Sequence, residues 1–157
     1  MTLRIGIGVD AHALERGVPL VLGGVRFDFD RGLAGHSDGD VLAHALVDAV
    51  LGAAGLGDIG SLFPSDDARY HGASSLELLR EAYRQVEQAG WSLVNADCIL
   101  IGEQPRIAPQ REEMRQRLSE ALGGGEVNVR ATTTDHLGFT GRGEGLAAHA
   151  VALLERT

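Results

Sequence analysis

The sequence of 157 residues has no lysine, few aromatic residues and a single cysteine. That residue, Cys98, lies in an apolar run and lacks a partner for an intrachain disulfide or a cysteine-based zinc site. The formal net charge of −8 argues against nucleic acid or an anionic membrane as the main partner. No apolar run is long enough for a membrane span, and none resembles a signal peptide. These absences predict a cytoplasmic globular protein, and its length predicts one domain, residues 1–157.

Polar residues are concentrated in the stretch GHSDGDVLAH, residues 35–44. Asp38 is predicted to cap the helix that follows, over residues 39–54, because its carboxylate can accept from free backbone N–H groups of the first turn. His44 lies off the apolar stripe of this helix. Asp48, one turn later, is predicted to orient the imidazole by accepting its second N–H.

The N-terminal stretch LRIGIGVDAH alternates in the manner of a strand, and places Gly6, Gly8, Asp10 and His12 on one face. The two glycines are expected to clear space beside the carboxylate and the imidazole. With His44, this face predicts a three-ligand metal site that leaves a fourth position open, as catalytic zinc requires. Asp10 and His12 alone, or His44 alone, would more often be ordinary residues of a strand or a helix. The prediction of a metal site therefore depends on finding both together.

The remaining elements follow from periodicity and from turn residues. A hairpin is predicted around Gly23-Gly24, and a capping box at Ser74 and Glu77 begins the second long helix. The further predictions are a helix to residue 89, strands over 91–101 and 127–133, and a helix over 109–122. The last segment, 146–154, favours a helix by its alanines but also fits a buried strand.

Two polar segments are suited to binding a ligand. The loop over residues 57–71 is longer and more polar than a simple connector, as lids and ligand-binding loops often are. The stretch TTTDHLGFTGRGEG, residues 132–145, offers hydroxyls, glycine N–H groups and Arg142 to a diphosphate. Neither a P-loop nor a dinucleotide fingerprint is present. On composition alone, the aspartates of the first segment could be ordinary surface charges, and the second segment could be a plain turn.

Four motifs in this order, DAH, GHSDGDVLAH, GLGDIGSLFP and ATTTDHLGFTGRGEG, resemble those of the 2-C-methyl-D-erythritol 2,4-cyclodiphosphate synthases. The resemblance covers nearly the whole chain. It implies conversion of 4-diphosphocytidyl-2-C-methyl-D-erythritol 2-phosphate into the cyclic diphosphate, with release of CMP, in the non-mevalonate route to isoprenoid precursors. It also implies an α+β fold, in which a mixed four-stranded sheet carries helices on one face and a small hairpin lies beside it. In that fold the last segment is a strand, and the chain forms a homotrimer with active sites between subunits.

The same resemblance implies metal ligands and catalytic residues. Asp10, His12 and His44 match the ligands of Zn²⁺ or Mn²⁺. Asp135 matches the position that holds a second cation, Mg²⁺ or Mn²⁺, across the diphosphate. His36 and Thr133 match the residues that stabilise the transition state.

Further positions match contacts to the substrate or to an isoprenoid diphosphate. Phe139 and Arg142 match residues that face a central cavity able to hold isoprenoid diphosphates. The substrate contacts are Ser37, Asp58, Ile59, Gly60, Phe63, Pro64, Ser65, Asp66, Asp67, Gly102, Glu103, Gln104, Pro105, Arg106, Ile107, Ala108, Thr132 and Thr134.

Three positions differ from the usual pattern of the family. Asp135 replaces a glutamate, so its shorter side chain is expected to reach the second metal through water. Ser65 replaces an aspartate, which leaves Asp66 and Asp67 to serve that loop. Arg106 replaces a lysine and keeps a phosphate contact with a different geometry.

Two other functions share part of this pattern. A metal-dependent hydrolase would use the same three ligands to activate water. A binding module would hold an isoprenoid diphosphate in a metal-stabilised trimer without turnover. The cyclase is preferred, because neither alternative explains a cytidine-type loop beside a cradle rich in threonine and glycine.

Overall fold

The computed structural model describes residues 1–157 as an α+β fold. The strands are β1 (Thr2–Arg16), β2 (Leu20–Leu22), β3 (Val25–Phe27), β4 (Arg31–Leu33), β5 (Ser92–Ile101), β6 (Glu126–Thr132) and β7 (Gly145–Arg156). The helices are α1 (Val41–Ala54), α2 (Ile59–Leu62), α3 (Ser75–Gln88), α4 (Arg111–Ala121) and α5 (Gly138–Gly141), with 3₁₀ turns at Ala68–Tyr70 and Ala108–Gln110. None of the helices has both the length and the apolar character needed to cross a membrane.

The main sheet has five strands in the order β4-β1-β7-β5-β6, and β2 and β3 form the predicted hairpin. The sheet is mixed, since β5 and β6 are parallel while β7 is antiparallel to both of its neighbours. The prediction of four strands is wrong. β1 continues to Arg16, and β4 pairs with this extension from Leu14–Leu33 to Arg16–Arg31. β4 has only three residues, too few to show a periodicity.

The closest packing in the fold joins α1 to β1 at two glycines. A Cβ added at Gly8 would lie 1.8 Å from the carbonyl oxygen of Ala45, and one at Gly6 would lie 2.0 Å from that of Ala49. Backbone therefore approaches backbone where any side chain would clash. The space expected beside the glycines is filled by α1, which explains how His44 on the helix comes close to the strand.

Replacing Gly8 by alanine is expected to lower the free energy of unfolding by about 3 kcal/mol or more, because a methyl group cannot fit against a helix carbonyl without moving α1. Urea unfolding at a fixed protein concentration measures the change. Gly52→Ala is the matched control, since the nearest atom to its added Cβ is the carbonyl oxygen of Ile7 at 3.9 Å. That variant should be neutral, or more stable by up to about 1 kcal/mol. Equal effects at Gly8 and Gly52 would contradict the packing argument.

The N-cap of α1 is Asp40, and the prediction of Asp38 is wrong. The buried carboxylate of Asp40 accepts from the backbone N–H of Ala43 at 3.2 Å, and from those of Gly23 and Gly24 at 2.9 and 2.8 Å. Burial and the nearby charge of Asp38 raise the pKa of Asp40, although these backbone hydrogen bonds oppose the shift. One side chain thus connects the hairpin turn to the start of the helix that carries His44.

Asp38 serves α3 instead of α1. Its carboxylate accepts from the backbone N–H of Ser75 at 3.1 Å and also from the Ser75 hydroxyl. Ser74 is the N-cap residue of α3 but makes no side-chain capping hydrogen bond, so the predicted capping box with Glu77 is wrong. A carboxylate from another loop takes the place of the local cap.

The face of the sheet opposite α1 is exposed and apolar. In β1, Leu3, Ile5, Ile7 and Val9 are 51%, 72%, 66% and 54% exposed, and Val151 of β7, which pairs with Ile7, is 40% exposed. We call these five residues the open face. Contiguous exposed apolar surface of this kind usually marks an interaction site.

Candidate active site

The three predicted metal ligands meet between the middle of β1 and the first turn of α1. Asp10 Oδ2 lies 2.8 Å from His12 Nε2 and 3.0 Å from His44 Nδ1, and the two ring nitrogens are 3.2 Å apart. A tetrahedral cation with bonds of about 2.0–2.1 Å holds its ligand atoms roughly 3.3 Å apart. The spacing of the three atoms is therefore close to that of three corners of such a tetrahedron, and this group of side chains could hold a divalent metal.

The charges of the cluster suit a cation. Burial disfavours the charged form of Asp10, but the hydrogen bonds and charges of His12 and His44 outweigh it and lower the pKa of Asp10 to about 2. The hydrogen bond to Asp10 raises the pKa of His12 against the effect of burial. Asp10 is therefore ionised throughout the neutral range, and it would give a bound divalent ion a full negative countercharge.

The second nitrogen of His44 faces away from the cluster. Nε2 lies 2.9 Å from Ser37 Oγ and 2.8 Å from Ser75 Oγ. The prediction that Asp48 orients His44 is wrong, because helical side chains lean toward the N-terminus of their helix and the imidazole therefore points away from the next turn. Asp48 instead accepts from the backbone N–H of Ile59 at 2.7 Å, and so holds the start of α2.

A cleft of about 530 Å³ opens beside the cluster. Tyr70 and Leu78 complete its wall, although the sequence predicted neither of them. The predicted site residues that line it are Asp10, His12, His36, Ser37, His44, Ile59, Gly60, Phe63, Pro64, Ser65 and Asp66.

Two predicted substrate contacts from the same loops lie outside the lining of the cleft. Asp58 caps α2 by accepting from the backbone N–H of Ser61 at 2.8 Å. Asp67 forms an ion pair with Arg69 at 2.7 Å. Its backbone carbonyl oxygen lies 3.4 Å from Nε2 of His36. Both aspartates therefore shape the loop around the cleft.

A second cavity, of about 300 Å³, lies between the loop after β5 and the end of β6. It shares no lining residue with the cleft. The backbone N–H of Thr134, beyond its rim, donates to Glu103 at 3.2 Å. The predicted site residues that line it are Gly102, Glu103, Gln104, Pro105, Arg106, Ile107, Ala108, Thr132 and Thr133.

The remaining predicted residues lie in the loop around α5. Asp135 is exposed and adopts a positive φ of 52°, and it is not part of the three-ligand cluster. Phe139 is 43% exposed. Arg142 pairs with Glu144 at 2.6 Å and lines a separate small cavity together with Arg31.

Comparison with known proteins decides the family, since the sequence model of the YgbB family matches residues 3–155. This chain belongs to the YgbB family. A 2-C-methyl-D-erythritol 2,4-cyclodiphosphate synthase from Moorella thermoacetica is 58% identical over 154 residues, which are 97% of this chain and 94% of that protein. The predicted family, the predicted class of enzyme and the predicted cyclisation reaction are confirmed by this membership.

Solved structures agree with the family at the level of the fold. The bifunctional IspDF from Campylobacter jejuni matches with a TM-score of 0.94 and 42% identity, over 99% of this chain and 43% of that one. A 2C-methyl-D-erythritol-2,4-cyclodiphosphate synthase in its CDP-bound form matches with a TM-score of 0.88 and 40% identity, over 97% of this chain and 100% of that one. The α+β fold of the prediction is therefore confirmed.

Proposed function

We propose that the cleft cyclises 4-diphosphocytidyl-2-C-methyl-D-erythritol 2-phosphate. An oxygen of the 2-phosphate attacks the β-phosphorus, the bond between this phosphorus and the oxygen bridging to the α-phosphorus breaks, and CMP leaves with that oxygen. The proposal depends on one observation. The ligand atoms of Asp10, His12 and His44 converge in the wall of a cleft that has room for a diphosphate. The CDP-bound relative supports a cytidine nucleotide as the substrate class.

The reaction needs positive charge and correct alignment of the substrate in the cleft more than it needs a general base. A phosphate monoester has a second pKa near ~6, so the attacking group is already largely dianionic at neutral pH. The obstacle is repulsion between two phosphates, about 1 kcal/mol per charge pair at 4 Å in water and about 4 kcal/mol near a protein surface. Asp10, His12 and His44 would hold a cation, Zn²⁺ or Mn²⁺, which would supply the countercharge and polarise the β-phosphate.

The side chains around the cluster would bind and align the substrate. His36 and Ser37 line the cleft near the ligands, where N–H and hydroxyl groups can donate to phosphate oxygens. Such donors act on the charge that develops in the transition state, and we propose this role for His36 and for Thr133. The backbone groups of residues 102–108 would read the cytosine edge in the second cavity. Asp135 would hold Mg²⁺ or Mn²⁺ through water.

We further propose that the substrate bridges two copies of the chain in a homotrimer. Across the sheet, His12 pairs with Leu146, whose neighbour Ala147 pairs with Ile101, and Ile101 pairs with Thr132. Three strand spacings of about 4.8 Å separate the cluster from Thr132 by roughly 14 Å. This separation supports two half-sites within one chain, and the open face is the surface through which neighbouring chains would bring complementary half-sites together.

Three finer points stay predictions. Phe139 and Arg142 are predicted to face a central cavity of the trimer that takes an isoprenoid diphosphate, and the exposure of Phe139 supports this. The protein is predicted to work in the cytoplasm. Its organisation as one domain over residues 1–157 is predicted from its length.

Turnover in water labelled with ¹⁸O separates the cyclase from a hydrolase that uses the same ligands. The protein is incubated with the cytidyl substrate, Zn²⁺ and Mg²⁺, and the products are analysed by mass spectrometry. We expect CMP and the cyclic diphosphate in equal amounts, both without label, because the attacking oxygen comes from the substrate. Label in either product would refute cyclisation.

His36→Ala separates the cyclase from a binding module. Loss of one transition-state donor should lower the rate of CMP release by about 10²–10³-fold, while CDP affinity remains within about threefold of the parent protein. Tyr70→Phe is the control, since it changes a different group on the wall of the same cleft and leaves the ring in place. If the parent protein bound CDP but released no CMP from the substrate, the binding module would be favoured.

A further inference from the structure

We propose that Ser75 is a positioning residue for the metal site. It acts through His44 in a chain of hydrogen bonds that begins at Asp38. Ser75 is the first residue of α3 and is fully buried. Its hydroxyl oxygen lies 2.8 Å from His44 Nε2, and the same hydroxyl donates to Asp38 Oδ1. The chain therefore runs from a carboxylate through a serine and a histidine to the cluster.

The direction of each hydrogen bond follows from the donors available. An ionised carboxylate only accepts, so the single proton of the Ser75 hydroxyl points to Asp38. Asp38 is also held by the backbone N–H groups of Ser75 and Asp40, both at 3.1 Å. The two lone pairs left on Ser75 Oγ then accept from Nε2 of His44 at 2.8 Å and from the Ser37 hydroxyl at 3.2 Å, so that the Ser37 proton has a partner other than His44. His44 therefore carries its proton on Nε2 and presents an unprotonated Nδ1 to Asp10 and His12.

This choice of tautomer matters because the other one is also stabilised. A proton on His44 Nδ1 would donate to Asp10 Oδ2 at 3.0 Å, and would block both atoms as ligands. In a neutral imidazole, the partner of one ring nitrogen decides which nitrogen is free to bind a metal. Ser75 and Asp38 thus disfavour the hydrogen bond from His44 Nδ1 to Asp10, which would prevent both atoms from binding a metal.

Ser37 does not replace Ser75 in this role. Its hydroxyl lies 2.9 Å from the same nitrogen of His44, but Ser37 lines the cleft and so is placed to contact the substrate. Ser75 is itself absent from the lining of the cleft, although its hydroxyl lies within hydrogen-bond distance of two lining residues, His44 at 2.8 Å and Ser37 at 3.2 Å. Of these two contacts only His44 is a metal ligand, so an effect of Ser75 on zinc affinity is expected to act through His44.

The test is Ser75→Ala, with zinc affinity measured by competition with a chromophoric chelator. Loss of a partner that orients a metal-ligating histidine typically costs 10–100-fold in metal affinity, and we expect a loss in this range. Ser119→Ala is the control, because it also removes a hydroxyl that is hydrogen-bonded within the protein: the partly buried hydroxyl of Ser119 donates to the Gly125 carbonyl oxygen at 2.6 Å. Its zinc affinity should stay within twofold of the parent. A Ser75→Ala affinity equally close to the parent would overturn the proposal.

A measurement on the unaltered protein makes the test independent of whether Ser75→Ala folds. Long-range ¹H–¹⁵N correlation spectra of the metal-free protein at pH 8 report the tautomer of each histidine. We expect His44 to show the pattern of a protonated Nε2, and a protonated Nδ1 would refute the inference.

Only the consequence of the Ser75 inference for turnover rests on the proposed function. A protein with the expected tautomer and zinc affinities, but without cyclic product, would refute the function and leave the role of Ser75 standing.

Discussion

Asp10→Asn is expected to lower zinc affinity by more than 100-fold and turnover by about 10³-fold. Asp10 is the only charged ligand of the cluster, and Oδ2 contacts both ring nitrogens. An asparagine keeps the shape of the side chain but removes the charge that opposes the cation. Loss of an outer partner of a metal site already costs 10–100-fold, so loss of a direct ligand costs more. Chelator competition and steady-state rates at saturating Mg²⁺ measure the two effects.

The matched control is Asp28→Asn, which makes the same change at an exposed residue that lines neither the cleft nor the second cavity. Both the affinity and the rate of this variant should stay within about twofold of the parent. If Asp10→Asn retained the parent affinity for zinc, the three side chains would not form the metal site. If it lost zinc but kept its turnover, the metal would be unnecessary for the reaction.

Ile7→Glu is expected to convert the assembled protein into single chains and to reduce turnover below about 1% of the parent. Ile7 is 66% exposed at the centre of the open face, between Ile5 and Val9 and opposite Val151. In a trimer each copy would have to bury this carboxylate without a partner, which costs several kcal/mol, and 1.4 kcal/mol is already tenfold in association. Sedimentation velocity over a range of protein concentrations measures the change in assembly.

The loss of turnover follows from the division of the site. In the proposed trimer the metal cluster and the second cavity of one chain serve different active sites, so separated chains would retain zinc but not complete catalysis. Leu56→Glu is the control, because Leu56 is an apolar residue of comparable type, 39% exposed, that lies outside the open face. It should leave the oligomeric state unchanged. Full activity in monomeric Ile7→Glu would show that one chain contains a complete active site.

The metal cluster could be predicted because each half of it has its own local signature. Alternation in β1 places Asp10 and His12 on one face, and helical periodicity in α1 separates His44 from the apolar stripe. The two glycines of β1 are evident in the sequence, but the prediction that they clear space beside the ligands is wrong. They do not leave room for a ligand; at Gly6 and Gly8 the helix itself occupies the space.

The hydrogen-bond partners around the metal cluster could not be predicted from the sequence, because they depend on contacts between distant segments. Asp38 and Asp40 are both plausible caps in the sequence, and only the position of the hairpin turn gives Asp40 its two additional N–H donors. Ser75 follows Ser74 in an ordinary helix start, and nothing local shows that its hydroxyl reaches His44. Helical spacing places Asp48 one turn from His44, but it does not show in which direction the imidazole points, and this is why the role predicted for Asp48 is wrong.

The contact between α1 and the two glycines of β1 also limits how the protein could be redesigned. Because main-chain atoms already touch there, the strand ligands and the helix ligand cannot be brought closer together without a clash, and moving them apart for a larger ion would break this packing. A change of metal preference would have to come from different donor atoms on the same scaffold. The distance between them is a property of the architecture, whereas their chemistry can still be exchanged.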